Sequence, residues 1–232
     1  MSFTKRSYQK ELLDSDNIPF ADIAANMKEL NTINTLLGGH KITCKGVKCF
    51  VDNKLNEKIT IAEIGCGGGD NLAAISAVLQ RKNVPFALTG IDIKAECIDY
   101  AKQHSPNNTS WICSDYRQAQ FNGSLPDVIF SSLFCHHFTE AQLVEQLQWM
   151  QQNSRQGFFI NDLQRHPLAY YSIKLLTRLF SRSYLVKNDA PLSVKRGLVR
   201  SEWELTLKQA GINNYAIRWQ WAFRYLIVVK HG

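Results

Sequence analysis

Residues 59–70, Ile-Thr-Ile-Ala-Glu-Ile-Gly-Cys-Gly-Gly-Gly-Asp, constrain the fold of this chain more than any other stretch. A β-type apolar run passes through Glu63, meets four glycines between Gly65 and Gly69, and gives way to a helical pattern at Asp70. A strand that turns into a helix through glycines presents bare backbone and unpaired N–H groups to a ligand. The dinucleotide fingerprint G-x-G-x-x-G is not completed. From Gly65 its third glycine falls on Asp70, and from Gly67 on Leu72. What remains is acidic-x-G-x-G-x-G.

The pattern around this turn alternates. Strands are predicted over 59–64, 86–91, 109–113, 127–131 and 157–161, with helices over 70–82, 94–104 and 139–152. Such alternation implies βαβ units and a parallel sheet covered on both faces. A helix over 201–210 is expected to be capped by Ser201, with Glu204 completing a capping box. Two closing runs, 215–219 and 223–229, are joined so tightly that they must pair antiparallel. Before residue 59 the spacing predicts one helix over 18–37, stopped by Gly38 and Gly39.

At 232 residues, 45% of them hydrophobic, the chain suits one α/β domain with a full core. No apolar run is long enough to span a bilayer, and the N-terminal residues lack the apolar core of a secretion signal. The six scattered cysteines fit small core residues of a reducing compartment, so a cytoplasmic protein is expected, with no metal site. The net charge of +7 is concentrated. Residues 165–200 hold eight cations and one acid, Asp189, and the rest of the chain balances.

Two further strands end in acids. Asp92 closes Leu-Thr-Gly-Ile-Asp-Ile, where a carboxylate accepts from ribose hydroxyls or caps the next helix. Asp115 follows Trp-Ile-Cys-Ser, placed to meet the exocyclic amine of a purine. Taken in order, EIGCGGGD, GIDI, CSDY and DVIFSSLFCHHF resemble motifs I to IV of the class I S-adenosylmethionine-dependent methyltransferases, well over residues 59–162 and loosely elsewhere. The resemblance implies a Rossmann-like α/β fold with a mostly parallel seven-stranded sheet ending in an antiparallel hairpin. It implies an N-terminal helical cap or lid over 1–58, a methyltransferase domain over 59–232 and a helical insert after the fifth strand. It implies S-adenosyl-L-methionine as cofactor, bound by Glu63, Gly65, Cys66, Gly67, Gly69, Asp92, Ile93, Ser114, Asp115, Tyr116, Ser131 and Ser132. Glu63 stands where the family more often has Asp.

For the acceptor, His136 and His137 on the loop after the fourth strand are the candidate bases, each also able to pack or cap instead. Arg165 and His166, after the fifth strand, are expected to face the cleft and orient the acceptor. Ser-Ser-Leu-Phe replaces the Asn/Asp-Pro-Pro-Tyr of amino-methylating enzymes. Cys135 lacks the preceding proline of cytosine-C5 enzymes, and Ser131 and Asn161-Asp162 break the acid pattern of magnesium-dependent catechol enzymes. The stretches Asn161–Tyr171 and Val194–Trp203 resemble small-molecule methyltransferases found beside type III polyketide synthases and, more distantly, the quinone-biosynthesis type. That resemblance implies a small aromatic acceptor, a phenolic polyketide or quinol, and O-methylation, with C-methylation as the alternative. Rival readings are an RNA or protein methyltransferase using the basic insert, and a non-catalytic cofactor-binding protein. Charges interleaved with large aliphatics read against nucleic acid. Tyr171, Leu175, Leu176 and Leu179 form one helical stripe beside Lys174 and Arg178, expected to lid the pocket or to rest peripherally on anionic lipid.

Overall fold

A computed structural model of the chain describes residues 3–15, 17–51, 57–105, 108–121 and 123–231. In chain order its elements begin with α1 (Phe20–Leu36), α2 (Gly39–Val51), β1 (Ile59–Ile64), α3 (Asp70–Arg81) and β2 (Phe86–Asp92). They continue with α4 (Ala95–His104), β3 (Thr109–Cys113), β4 (Val128–Ser132), α5 (Glu140–Asn153) and β5 (Gly157–Leu163). The last are α6 (Pro167–Phe180), α7 (Tyr184–Arg196), α8 (Arg200–Gln209), β6 (Tyr215–Gln220) and β7 (Arg224–Lys230). The strands form one sheet in the order β3-β2-β1-β4-β5-β7-β6. Strands β1 to β5 run parallel, and β7 inserts antiparallel between β5 and β6. Strand order reverses between β1 and β4, which opens a crevice beyond their carboxyl ends.

Strand β1 shows why its sequence is apolar almost throughout. Successive side chains alternate between faces, and both faces are covered. Ile59 and Ile61 enter a core with α2, α3 and Ile98 of α4, while Ala62 and Ile64 enter a second core with α5 and α8. Glu63 shares the face of Ile59 and Ile61, so it emerges at the strand end beneath α3.

The segment before residue 59 departs from expectation. Gly38 adopts φ +76° and ends α1 as predicted, but α2 begins at the next residue and packs against the sheet. Ile42, Val47, Phe50 and Val51 belong to the same core as β1, so this helix is a layer of the domain rather than a cap on it. The remaining stretch up to the expected boundary, residues 52–56, lies outside the described residues. Gly46 permits the docking, since a Cβ there would stand 2.4 Å from the buried Phe159 ring, which itself stacks on Phe130. At α8 the cap is also different. Glu202, not Glu204, accepts from the Val199 N–H at 2.8 Å, and Glu204 pairs instead with Arg200, so Ser201 is not the cap.

Alanine raises helix propensity, but at Gly46 the methyl has no room. Gly46→Ala should lower unfolding stability by about 1–2 kcal/mol, overpacking outweighing the propensity gained, as measured by urea denaturation.

Candidate active site

The glycine turn is shaped by its φ angles. Gly65 at +66° and Gly67 at +49° take left-handed conformations that side chains rarely adopt, and a Cβ on Gly65 would meet the Phe134 ring at 2.5 Å. Asp92, from the neighbouring strand tip, accepts from the Gly67 N–H and from the Lys94 N–H, each at 2.9 Å. It therefore braces the loop and keeps lone pairs for a ligand. Burial raises its carboxyl above the ordinary value despite those bonds. Glu63 is fully buried: Asn71 Nδ2 donates to Oε1 at 2.9 Å, and Oε2 has no partner. Burial pushes this carboxyl well up, and Asp70 and Asp92 push it further. Asn71 in turn meets His40, which reaches Asn31, so α1, α2 and α3 all brace the turn. An orphaned carboxylate oxygen beside a glycine turn fits the ammonium end of an amino acid ligand.

One pocket of about 460 Å³ joins this turn to the loop after β4. Glu63, Gly65, Cys66, Gly67, Asp92, Ile93 and Ser132 line it, as do His136 and His137. Several predicted positions lie elsewhere. Gly69 caps α3 and packs beneath the loop against Trp111 and Ser105. Ser131 is buried, its hydroxyl 3.6 Å from the Cys135 sulfur. Ser114 bonds its neighbour's carbonyl, and Tyr116 turns into the core against Trp149. Asp115 caps the short turn Tyr116–Gln118, and both its oxygens are taken by Arg117, which holds its carboxyl below the ordinary value.

Arg165 and His166 do not reach the cleft. The Arg165 guanidinium is buried, forked onto Glu202 at 2.6 and 2.9 Å and donating to the carbonyls of Phe3 and Gly197. His166 caps α6 and stacks on Phe223. Of the apolar stripe on α6, only Leu176 lines the pocket. The chain direction after β5 brings this segment past the strand tips, but its charged groups are consumed by packing.

The loop after β4 carries the second half of the site. His136 is buried, with Nδ1 2.7 Å from Asp162 Oδ1 and Nε2 3.5 Å from Glu11 Oε1. Burial opposes its charged form, yet Asp162 and Glu11 override that and raise it to about 9. Burial likewise works against the ionised carboxylates of Asp162 and Glu11, and the His136 imidazolium keeps both below their ordinary values. His137 is partly exposed to the pocket, with Nδ1 3.3 Å from Asp14 Oδ1 and Nε2 3.7 Å from Glu11 Oε2. Glu11 and Asp14 belong to an N-terminal strap and carry no local signal. Asp189 holds the strap by accepting from the N–H groups of Leu12 and Leu13. Among the described residues, Glu11, His136 and His137 are the group whose atoms come close enough to share a metal ion. The His136 charge and Arg196, 3.9 Å from Glu11, oppose a cation there. At the far wall, burial lowers Arg224 to about 10. One of its nitrogens has no hydrogen-bond partner, and another donates to Asn34 Oδ1 at 2.9 Å.

A family model described as a methyltransferase domain matches residues 61–157, which run from β1 to the start of β5 and hold both halves of the site. Over these residues the chain matches a methyltransferase domain. Solved structures share its fold. Human N-acetylserotonin methyltransferase in complex with SAM superposes with a TM-score of 0.65 at 16% identity, covering 92% of this chain and 57% of that one. The chain thus spans little more than half the length of that relative. The plantazolicin methyltransferase BpumL in complex with SAH gives 0.66 at 20% identity, over 94% of this chain and 91% of its own. Magnesium protoporphyrin IX methyltransferase from Synechocystis PCC 6803 with bound SAM gives 0.54 at 12% identity, over 84% and 81%. No protein of curated function matches the chain by sequence.

Asp92 braces the loop, faces the pocket and is expected to accept from the ribose of the cofactor. Asp92→Ala should weaken binding of S-adenosylhomocysteine by about 1.5–3 kcal/mol in calorimetry, the scale of lost charged hydrogen bonds.

The histidine network sets a pH window. His136 is raised from 6.5, so its stabilisation is complete below that pH and lost as the pH climbs toward about 9. Asp162 and Glu11, lowered from 3.8 and 4.5, contribute above those values and fail as the pH falls further. Urea unfolding of the wild type should lose on the order of 3 kcal/mol across the His136 range, and His136→Asn far less.

Proposed function

We propose that the protein transfers the methyl group of S-adenosylmethionine to a hydroxyl of a small hydrophobic acceptor, a phenol, phenolic polyketide or quinol. The observation that carries this reading is one pocket that joins the glycine turn, with Glu63 and Asp92, to His137 and an apolar wall. Glu63, Gly65, Gly67 and Asp92 are the residues that would hold the cofactor, with Ile93 flanking it and Ser132 below. When bound, it supplies an electrophilic methyl group on a positively charged sulfur. Asp115, though paired with Arg117, remains the nearest acid after β3 and is retained as a purine partner that would have to release that arginine.

His137 acts as the base. Asp14, 3.3 Å from Nδ1, orients the ring, and Nε2, 3.7 Å from Glu11, takes the hydroxyl proton. His136 does not compete, because its own carboxylates hold it protonated. Arg224 places positive charge on the pocket wall and favours the ionised form of an acidic hydroxyl. Leu30 and Ile33 of α1, Leu37 just after it and Leu133 supply the apolar wall, so the N-terminal helix and the strap close over the acceptor as a cap. Most of the acceleration comes from holding two reactants in line, and a phenol asks only modest help from a base. The names of the fold relatives carry N-acetylserotonin, plantazolicin and a porphyrin, and none is a nucleic acid.

Incubation with labelled S-adenosylmethionine and a panel of phenols, quinols and tRNA tests the reading. Label on a phenolic oxygen supports it; label on tRNA alone overturns it. His137→Ala should cut kcat by roughly 10²–10⁴-fold and leave S-adenosylhomocysteine affinity within about twofold.

A further inference from the structure

Helix α6 is apolar on two opposite sides. It packs through Tyr170, Ile173 and Thr177, against a cluster that includes Val194 of α7. Leu168, Tyr171, Leu175 and Leu179 each stand two residues from a buried one, about 200° around the helix, and so project away from the protein. Leu175 is 58% exposed, Leu179 64%, and Phe180 at the helix end 78%. A row of large side chains directed outward is costly in water and marks a surface that something covers.

The charges say what covers it. Lys174 and Arg178 lie on the flank of the same row, and Arg182 and Lys187 follow at its end, all four exposed. No acid occurs between Pro167 and Asn188. The carboxylates that approach from α1 are engaged, Glu29 by Ser181 and the N–H groups of Arg182 and Ser183, and Asp22 by Tyr184. Tyr171 and Tyr184 add the amphipathic rings that favour a membrane interface, and Trp221, 69% exposed, adds another at the pocket rim. We infer that the outward face of α6 docks on an anionic lipid bilayer, its leucines entering the headgroup boundary and its cations meeting lipid phosphates. Leu176 is both exposed and part of the pocket wall, so the docked face continues into the site. A hydrophobic acceptor dissolved in the bilayer then reaches the pocket without crossing water. The inference concerns binding alone and holds whatever the acceptor is.

Co-sedimentation of the full chain with vesicles of phosphatidylcholine, and of phosphatidylcholine and phosphatidylglycerol in equal parts, tests it. Binding is expected to the mixed vesicles at low salt and to weaken as salt rises. Leu175→Glu/Leu179→Glu and Lys174→Gln/Arg178→Gln should each reduce it by at least about tenfold. Unchanged S-adenosylhomocysteine affinity in both variants shows that the fold is intact. Wild-type protein that stays in the supernatant with the mixed vesicles overturns the inference. So does a wild-type dimer in light scattering that the leucine variant makes monomeric without any vesicle binding, because the face is then an interface between copies.

Discussion

The loop after β4 is organised around one buried carboxylate. Asp162 has no exposed surface at the end of β5, and it accepts from the His136 N–H at 3.1 Å, from His136 Nδ1 at 2.7 Å and from the Leu163 N–H at 2.7 Å. Such a charge is costly to bury unless it is paired and its lone pairs are used, and both conditions are met. The pairing makes His136 a cation, and the cation draws Glu11 of the N-terminal strap to its other side. Two arginines complete the arrangement. Arg6 and Arg196 donate to the carbonyls of His136, His137 and Phe138, so the histidine loop is held from its backbone as well as its rings. A change at any member leaves a neighbour buried and unpaired.

This network explains the uneven charge of the chain. Of the cations in residues 165–200, Arg165 and Arg196 are interior posts that tie the strap and the sequence after β5 to the core. The lone acid, Asp189, is spent on the strap's backbone. Lys174, Arg178, Arg182 and Lys187 remain at the surface. One basic segment therefore does two unrelated things, and its total charge describes neither.

The donor end was legible because its requirements are local. A strand, a turn with left-handed glycines and a helix are adjacent in sequence, and Asp92 ends the next strand where pattern alone places it. The strands fall within one residue of their predicted ends, apart from β5, which runs two residues further, to Leu163. The acceptor end was only half legible. His136 and His137 stand out beside β4, but the different surroundings of the two depend on Asp162 and on Glu11 and Asp14 of the strap, drawn from two distant stretches. Tyr116 shows the same limit from the other direction. Its position after β3 suggests a ligand contact, and packing against Phe138 and Trp149 claims it for the core.

Alternation of apolar runs, glycines and strand-end acids is enough to determine a doubly covered parallel sheet, its closing hairpin and a glycine turn at the carboxyl ends of the strands. These follow from backbone geometry and burial periodicity, which act over a few residues. Only the tertiary structure decided that residues 39–51 form a core helix, that Arg165 is a strut, that α6 turns its leucines outward, and which histidine is buried against Asp162. Each of those depends on what a side chain meets from a distant part of the chain. Pairing and packing energies of that kind have no period in the sequence.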